Sequence, residues 1–128
     1  MPRRRGRGRG RRGRWAGWLD PVLLLLLHHA PAHGYTLISQ LDGFGLDGID
    51  PSIVYRALRE MESQGLVTSS WDPEGTQGPP RRIYQLTRDG DRSLQENIHA
   101  LRRERDAIDT FLEAYDHHME EGRGEFHE

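Results

Sequence analysis

A short leucine run near the N-terminus constrains the fold more than any other part of this sequence. The residues Val22 to Leu27, VLLLLL, follow Asp20 and Pro21 and come shortly before a second proline, Pro31. An aspartate cap with proline at the first helical position is typical of a helix start, and Pro31 ends the helix. Because this helix is apolar on every side, we expect it to be buried in the core or between subunits.

The same run also has the outline of a secretory signal, because basic residues precede it and Ala30-Pro31-Ala32 fits a cleavage pattern. An uninterrupted apolar run of six residues is shorter than the roughly 7 to 15 of a signal core and the roughly 20 of a bilayer span. We therefore interpret the run as part of a folded domain. The sequence has no cysteine, which excludes disulfide and thiolate chemistry and favours the cytoplasm.

Charge is distributed unevenly along the 128 residues. Residues 1–14 hold eight of the 18 basic residues and no acid, which leaves ten basic and 20 acidic residues in the remainder. All the basic residues are arginines. We call residues 1–14 the Arg/Gly arm and predict that it is disordered, because it has too few apolar residues for a core. Its composition is typical of a tail that binds nucleic-acid phosphates or the minor groove, the alternative being a solubilising tail.

Apolar periodicity and turn residues predict the next elements. A second, short helix has its apolar positions at Tyr35, Leu37, Ile38 and Leu41. The stretch DPSIVYRALREMESQGLV predicts a third helix with Asp50 or Ser52 as its cap, and LVTSSW and RRIYQL predict two strands joined by a loop rich in turn residues. A long helix follows, with Thr87 as its cap.

The long helix carries a heptad repeat. Its apolar positions step by alternating fours and threes, and Arg105 occupies the missing position, in the series Leu94, Ile98, Leu101, Ile108, Leu112, Tyr115 and Met119. A long helix with one apolar stripe needs a partner, either a second copy of the chain or its own domain, on which it would fold back. We expect a homodimer whose interface contains Leu24, Ile98, Leu101, Ile108, Leu112 and Tyr115.

Three helices followed by a two-stranded hairpin are the arrangement of a winged helix-turn-helix domain, whose third helix enters the DNA major groove. The predicted fold is mostly α with a small β-hairpin wing, plus a long C-terminal dimerisation helix. The predicted domains are the arm (1–14), the winged domain (15–86), the dimerisation helix (87–121) and a flexible tail (122–128). Arg56 or Arg59 suits a bidentate contact with guanine, while Arg81 and Arg82 suit phosphates or the minor groove.

The motifs resemble those of the PadR family of bacterial transcriptional regulators. The similarity rests on LLLLLHHAPAHGYTLISQL, DPSIVYRALREMESQGLV and PRRIYQLTRDGDRSL, which occur in the family's order and spacing. The resemblance implies that His33, Gly34 and Tyr35 fix the second helix. It also implies a homodimer, an effector that is a small aromatic or hydrophobic compound, and DNA contacts from Ser52, Tyr55, Arg56, Arg59, Arg81 and Arg82.

Aromatic residues allow more than one interpretation. Tyr55 and Tyr84 either lie at the DNA face or pack in the core. A surface for the effector is predicted from Trp15, Trp18, Phe111 and Tyr115, and the alternative is that these side chains seal the dimer.

No catalytic or metal-binding pattern is present in the sequence. Adjacent histidines, at 28 and 29 and at 117 and 118, point apart on a helix, and His127 does not complete a known metal spacing. We predict no cofactor, no metal and no enzymatic activity. The sequence thus predicts a cytoplasmic regulator that binds operator DNA, without membrane association: a homodimeric repressor released by its effector. The alternative is a nonspecific RNA- or nucleoid-binding protein that acts through the Arg/Gly arm.

Overall fold

The computed structural model describes residues 18–72 and 81–122. The first elements are helix α1 (Leu19–His29), strand β1 (Ala32–His33), helix α2 (Gly34–Gln40) and a 3-10 turn (Leu41–Phe44). They are followed by helix α3 (Pro51–Ser63), strands β2 (Val67–Trp71) and β3 (Arg82–Leu86), and helix α4 (Arg88–Gly122). The predicted fold class, mostly helical with a small hairpin and a long C-terminal helix, is confirmed. The Arg/Gly arm, Trp15 and His127 lie outside the described residues.

Two units make up the chain, one ending at Gln95 and the other beginning at Glu96. In the first unit, α1 supplies much of the core, because Leu19, Val22, Leu23, Leu24 and Leu27 are buried. Leu24, which we predicted at the dimer interface, is only 1% exposed and belongs to this core. Leu25, on the opposite side of the run, is exposed. No helix in the described ranges is long and apolar enough to cross a membrane.

The start of α1 differs from the prediction. Trp18 is the N-cap residue and Asp20 is already helical, so the prediction of Asp20 as the cap was wrong. Trp18 has no side-chain capping bond, but its indole Nε1 donates a hydrogen bond to the carbonyl oxygen of Phe44 at 2.9 Å. Leu19 is buried as the first helical residue, so the core contacts of α1 begin before Asp20 and Pro21.

Burial raises the pKa of Asp20 above its ordinary value of 3.8, and the carboxylate of Glu60 raises it further. Below pH 3.8 Asp20 is protonated in both states, and as the pH rises through the folded-state pKa, ionisation favours the unfolded chain. We expect Asp20→Asn to raise Tm by about 2 °C at pH 7, with the gain shrinking toward about pH 4. Thermal melts across pH measure this, with Asp47→Asn at an exposed site as control. A gain independent of pH would contradict it.

The sheet is antiparallel, with β3 between β1 and β2. Strand β1 was not predicted, because it has only two residues and its partners Ile83 and Tyr84 are 50 to 52 positions away in the sequence. The core beneath the sheet contains Leu37, Leu41, Val54, Leu58, Met61 and Val67. Tyr35, which the apolar spacing grouped with Leu37 and Leu41, is instead 70% exposed.

Helix α4 begins at a tightly packed junction with the loop after α3. The Thr87 hydroxyl accepts from the Gly90 N–H (3.0 Å) and donates toward the carbonyl oxygens of Gly65 (2.7 Å) and Leu66 (2.9 Å). The Leu66 carbonyl also accepts the backbone N–H of Thr87 at 3.1 Å. Thr87 therefore caps the helix as predicted. A Cβ atom on Gly90 would overlap the Leu66 carbonyl oxygen, so only glycine allows this close approach.

The second unit, described from Glu96 to Gly122, consists of the remainder of α4. Its most exposed large apolar side chains are 49% to 67% exposed and recur at helical spacing, at Ile108, Phe111, Leu112 and Tyr115. Ile98 and Leu101, earlier on the heptad positions, are half-buried. The predicted apolar stripe is thus solvent-facing over its C-terminal half in this chain.

Candidate nucleic-acid interface

Helix α3, the predicted recognition helix, has a well-defined start. Asp50 is its N-cap residue and accepts a hydrogen bond from the Ser52 backbone N–H at 3.0 Å, and Pro51 follows it. This selects Asp50 over Ser52 as the cap and leaves the Ser52 side chain exposed. The carboxylate, which would repel a nearby phosphate, is instead engaged with the helix N-terminus.

Tyr55 is half-buried and packs against the beginning of α2. A Cβ atom on Gly34 would lie 2.5 Å from Cε1 of the Tyr55 ring, so the ring occupies the space that the glycine leaves. The Gly34 backbone thus fixes the ring of a residue that we predicted at the DNA face. The ring has packing contacts, as the core-packing interpretation expects, and it also borders solvent. A role of Tyr55 at the DNA face stays a prediction.

Arg56 and Arg59 project from α3 into solvent. Neither side chain forms an ion pair or a hydrogen bond within residues 18–72 and 81–122. Guanidinium groups without an internal partner can contact bases or phosphates without first breaking a native interaction.

On the wing, Arg82 is held by neighbouring side chains. Its guanidinium carbon lies 4.4 Å from the centre of the Trp71 ring, and Nη1 donates to Ser69 Oγ at 2.9 Å. The Ser69 hydroxyl in turn donates to Glu62 Oε2 of α3 at 2.8 Å. Arg81 is exposed, and its side chain forms no hydrogen bond, ion pair or ring contact with any residue that the structure describes. The two wing arginines therefore differ, since Arg82 is held in one orientation and Arg81 is not.

A second side-chain contact connects the wing to β1. Nε2 of His33 lies 2.9 Å from Oδ2 of Asp72, and these side chains are only 24% and 13% exposed. The Asp72 backbone N–H donates to the Arg81 carbonyl at 2.8 Å, which continues the β2–β3 pairing by one step. His33 and Asp72 thus link β1 with the end of β2, the two outer strands of the sheet, across β3.

A cleft of about 290 Å³ lies where α2, α3 and the wing meet. Its lining contains the predicted residues Tyr55, Arg81 and Arg82, and also His33, Gly34, Tyr35, Trp71 and Tyr84. The structure does not place Ser52, Arg56 and Arg59 in this lining, since they lie on the exposed part of α3.

Trp71 is the residue of this surface that the sequence analysis missed. It is 57% exposed and pairs in register with Arg82. The signal was an aromatic residue immediately before the turn-rich loop, opposite an arginine immediately after it. The loop between the two strands is too long for the sequence alone to indicate which residues of β2 and β3 pair.

Known proteins resemble this chain in sequence and in fold. The family model described as the transcriptional regulator PadR-like family matches residues 22–96, more than half of the chain. The chain belongs to the PadR-like family. The resemblance found in the motifs is therefore confirmed, and this PadR-like protein is a transcriptional regulator and not an enzyme. A search among curated proteins finds no match.

Solved structures of family members are similar over most of the chain. A PadR family transcriptional regulator from Eggerthella lenta is 33% identical with a TM-score of 0.62, covering 75% of this chain and 79% of that one. A PadR family transcription regulator from Clostridium difficile is 25% identical with a TM-score of 0.66, covering 74% and 98%. A PadR-like transcriptional regulator from Bacillus cereus, 21% identical, shares the fold with a TM-score of 0.68 over 77% and 94%.

Tyr84 lines the PadR-like protein's cleft and is buried, as the core-packing interpretation expects. Burial raises the pKa of its phenol, the Glu62 carboxylate raises it further, and Arg82 and Arg59 act in the opposite direction. The phenol is therefore neutral at physiological pH and adds no negative charge beside the wing arginines.

Residues predicted to hold an effector are spread along the PadR-like chain. Trp18 lies in the first unit and bonds to Phe44, Phe111 and Tyr115 lie exposed in the second unit, and Trp15 is outside the described residues. Among residues 18–72 and 81–122 there is no group of three metal-ligating side chains. His117 pairs instead with Glu121 at 3.1 Å.

Proposed function

We propose that this PadR-like regulator binds double-stranded operator DNA sequence-specifically, with α3 in the major groove and the wing along the flanking backbone. One observation carries the proposal: in the part of the chain that the structure describes, Arg56 and Arg59 have no hydrogen-bond or ion-pair partner, and they lie on a capped helix beside a wing that presents Arg81 and Arg82. Outside the Arg/Gly arm the chain is acidic, so these four cations are concentrated where DNA would lie.

The four arginines have different roles in this proposal. Arg56 and Arg59 lie on the helix that reads bases, where a guanidinium forms two hydrogen bonds with a guanine edge. Arg81 and Arg82 lie on the wing and contact phosphates or the minor groove, which adds affinity without reading sequence in the same way. Ser52 and Tyr55 supply hydroxyl groups to phosphates near the start of α3.

The proposal is tested by binding of the purified protein to a duplex from the region upstream of its own coding sequence. A scrambled duplex and single-stranded RNA serve as controls, and each is titrated at several salt concentrations. Sequence-specific readout predicts a preference for the upstream duplex that persists as salt rises, because only the phosphate contribution weakens. Equal and steeply salt-dependent binding to all three nucleic acids would contradict the proposal.

That contrary result would favour the Arg/Gly arm as the binding element. A variant lacking residues 1–14 distinguishes the two functions. A regulator that reads DNA through α3 loses part of its affinity and keeps its sequence preference when the arm is removed. An arm-driven nucleic-acid binder loses nearly all of its affinity.

We further propose that the regulator is a homodimer held by the apolar stripe of α4. The support is the heptad spacing together with the exposure of Ile108, Phe111, Leu112 and Tyr115, because a stripe of this size on an isolated helix is unfavourable in water. Ile98 and Leu101 continue the stripe toward the N-terminal end of the second unit. Dimerisation would also pair two recognition helices with two half-sites.

Substitution of two apolar residues of the stripe by glutamate should dissociate the dimer. We expect the Ile108→Glu/Leu112→Glu variant to be monomeric at concentrations where the wild-type protein is dimeric, because burying carboxylates between helices is strongly unfavourable. Sedimentation equilibrium measures the mass of each. The matched control is Thr110→Glu/Ala114→Glu, with the same spacing on the opposite, exposed face of the helix. Dimers of equal stability in both variants would contradict the assignment.

The regulatory output is proposed to be repression in the cytoplasm, relieved by a small aromatic or hydrophobic effector. The support is the family resemblance together with exposed aromatic side chains at Phe111 and Tyr115. A ligand relieves repression only if it binds the DNA-free form more tightly. Planar aromatic compounds that bind the protein, but leave its operator affinity unchanged at saturation, would contradict this mechanism.

A further inference from the structure

The wing hairpin is connected to the helical part of the first unit on two sides. On the α3 side the connection runs from Glu62 through Ser69 to Arg82, which stacks on Trp71. On the other side His33 and Asp72 meet at 2.9 Å. The backbone of β1 alone gives a weak connection, because the strand has only two residues.

The His33–Asp72 contact joins parts of the chain that are 39 positions apart. His33 immediately precedes α2 and pairs with Ile83 of β3, whereas Asp72 follows β2 and bonds through its backbone to Arg81. The side chains therefore meet near the beginning of β3, where its pairing with β1 stops. Low exposure of both groups strengthens the hydrogen bond, because little water competes for it.

Arg81 lies directly beside this bridge. Its carbonyl oxygen accepts from the Asp72 N–H, and its side chain borders the same cleft as His33. Any change in the angle between the β2–β3 hairpin and β1 would move Arg81 and Arg82 relative to Arg56 and Arg59 on α3. A duplex backbone has a fixed geometry, so such a change would break phosphate contacts without altering the cations themselves.

We propose that His33 and Asp72 are positioning residues for DNA binding: the pair fixes the wing so that its arginines and the recognition helix engage one duplex together. This inference rests on the proposed function. Neither residue needs to touch DNA, and Asp72 also makes a further contact, so His33 is the better site for substitution. The imidazole Nε2 acts as the donor to the carboxylate.

The test compares His33→Leu with His33→Gln in full-length protein. Leucine removes the donor while keeping bulk, and glutamine supplies an amide N–H to the same carboxylate. His29→Leu is the matched control, since His29 is exposed and forms no hydrogen bond or ion pair within the described chain. Affinity for the upstream duplex is measured by fluorescence anisotropy across salt, and Tm and sedimentation monitor folding and assembly.

We expect His33→Leu to bind about tenfold more weakly and to lose about one to two units from the slope of log K against log salt, the signature of lost phosphate contacts. His33→Gln should recover most of both. Adding Arg81→Ala to His33→Leu should weaken binding less than it does in the wild type, because the wing is already displaced.

Several outcomes would overturn the proposal. Unchanged affinity and slope in His33→Leu would do so, as would a loss that His33→Gln does not recover or that adds fully to Arg81→Ala. A weakened variant that has also lost its folded structure, with no recovery by glutamine, would show a merely structural contact. If the wild-type protein and His29→Leu themselves show no duplex preference, the proposed function fails and this inference fails with it.

Discussion

The Gly90→Ala variant is expected to melt about 10 °C below the wild-type protein, or to fail to fold. A methyl group at this position would overlap the Leu66 carbonyl oxygen and lie 2.7 Å from Cδ1 of Leu86. The leucine side chain can move, but the carbonyl belongs to the backbone and is already bonded to the N–H and hydroxyl of Thr87. Relief of the overlap therefore breaks the cap of α4, at a total cost of about 3 kcal/mol.

Thermal unfolding monitored by circular dichroism measures this effect. Gly43→Ala is the matched control, because a Cβ at Gly43 would meet nothing within 4 Å and its backbone is not in the left-handed region. The control should melt within about 2 °C of the wild type. If Gly90→Ala has the same Tm as the control, the junction is less tightly packed than its geometry indicates.

The second large effect concerns the recognition helix. We expect the double variant Arg56→Ala/Arg59→Ala to lose at least about a hundredfold in affinity for the upstream duplex, since each bidentate guanidinium contact contributes about 1–3 kcal/mol. The loss should be much smaller for a scrambled duplex, so that sequence preference decreases together with affinity. Folding should be unaffected, because both side chains are exposed and have no partner in the described ranges.

Anisotropy titrations with both duplexes at one salt concentration measure the specificity ratio. Arg102→Ala/Arg103→Ala is the charge-matched control, because it also removes two exposed arginines but from α4. An equal loss for the two duplexes would assign Arg56 and Arg59 to phosphates and contradict base readout by these residues. An equal loss in the control would indicate that net charge alone governs binding.

Much of the first unit was predictable because its signals are local. The spacing of Val54, Leu58 and Met61 identifies α3 and its buried face, and the aspartate-proline pair at its start gives the cap. The hairpin followed from two short apolar stretches around a turn-rich loop. The apolar residues on every side of α1 indicated that this helix is buried. Only the packing of the whole unit shows that it is buried in the core of that unit.

Other features depend on distant pairing that local periodicity does not encode. Strand β1 exists because β3 is present to pair with it, and two residues carry no recognisable alternation. The same holds for His33 and Asp72, whose contact requires the sheet order with β3 in the centre. Tyr35 shows the limit of spacing arguments, since it occurs at an apolar position of α2 and yet is solvent-exposed.

The stack of Arg82 on Trp71 has a consequence for the kinetics of the proposed complex. A guanidinium that is fixed by an indole ring and by Ser69 has already given up much of its rotamer freedom before any duplex arrives. The entropy loss then occurs during folding and not during association. Loosening the stack, as in Trp71→Ala, should therefore leave the association rate almost unchanged and shorten the residence time of the protein on DNA.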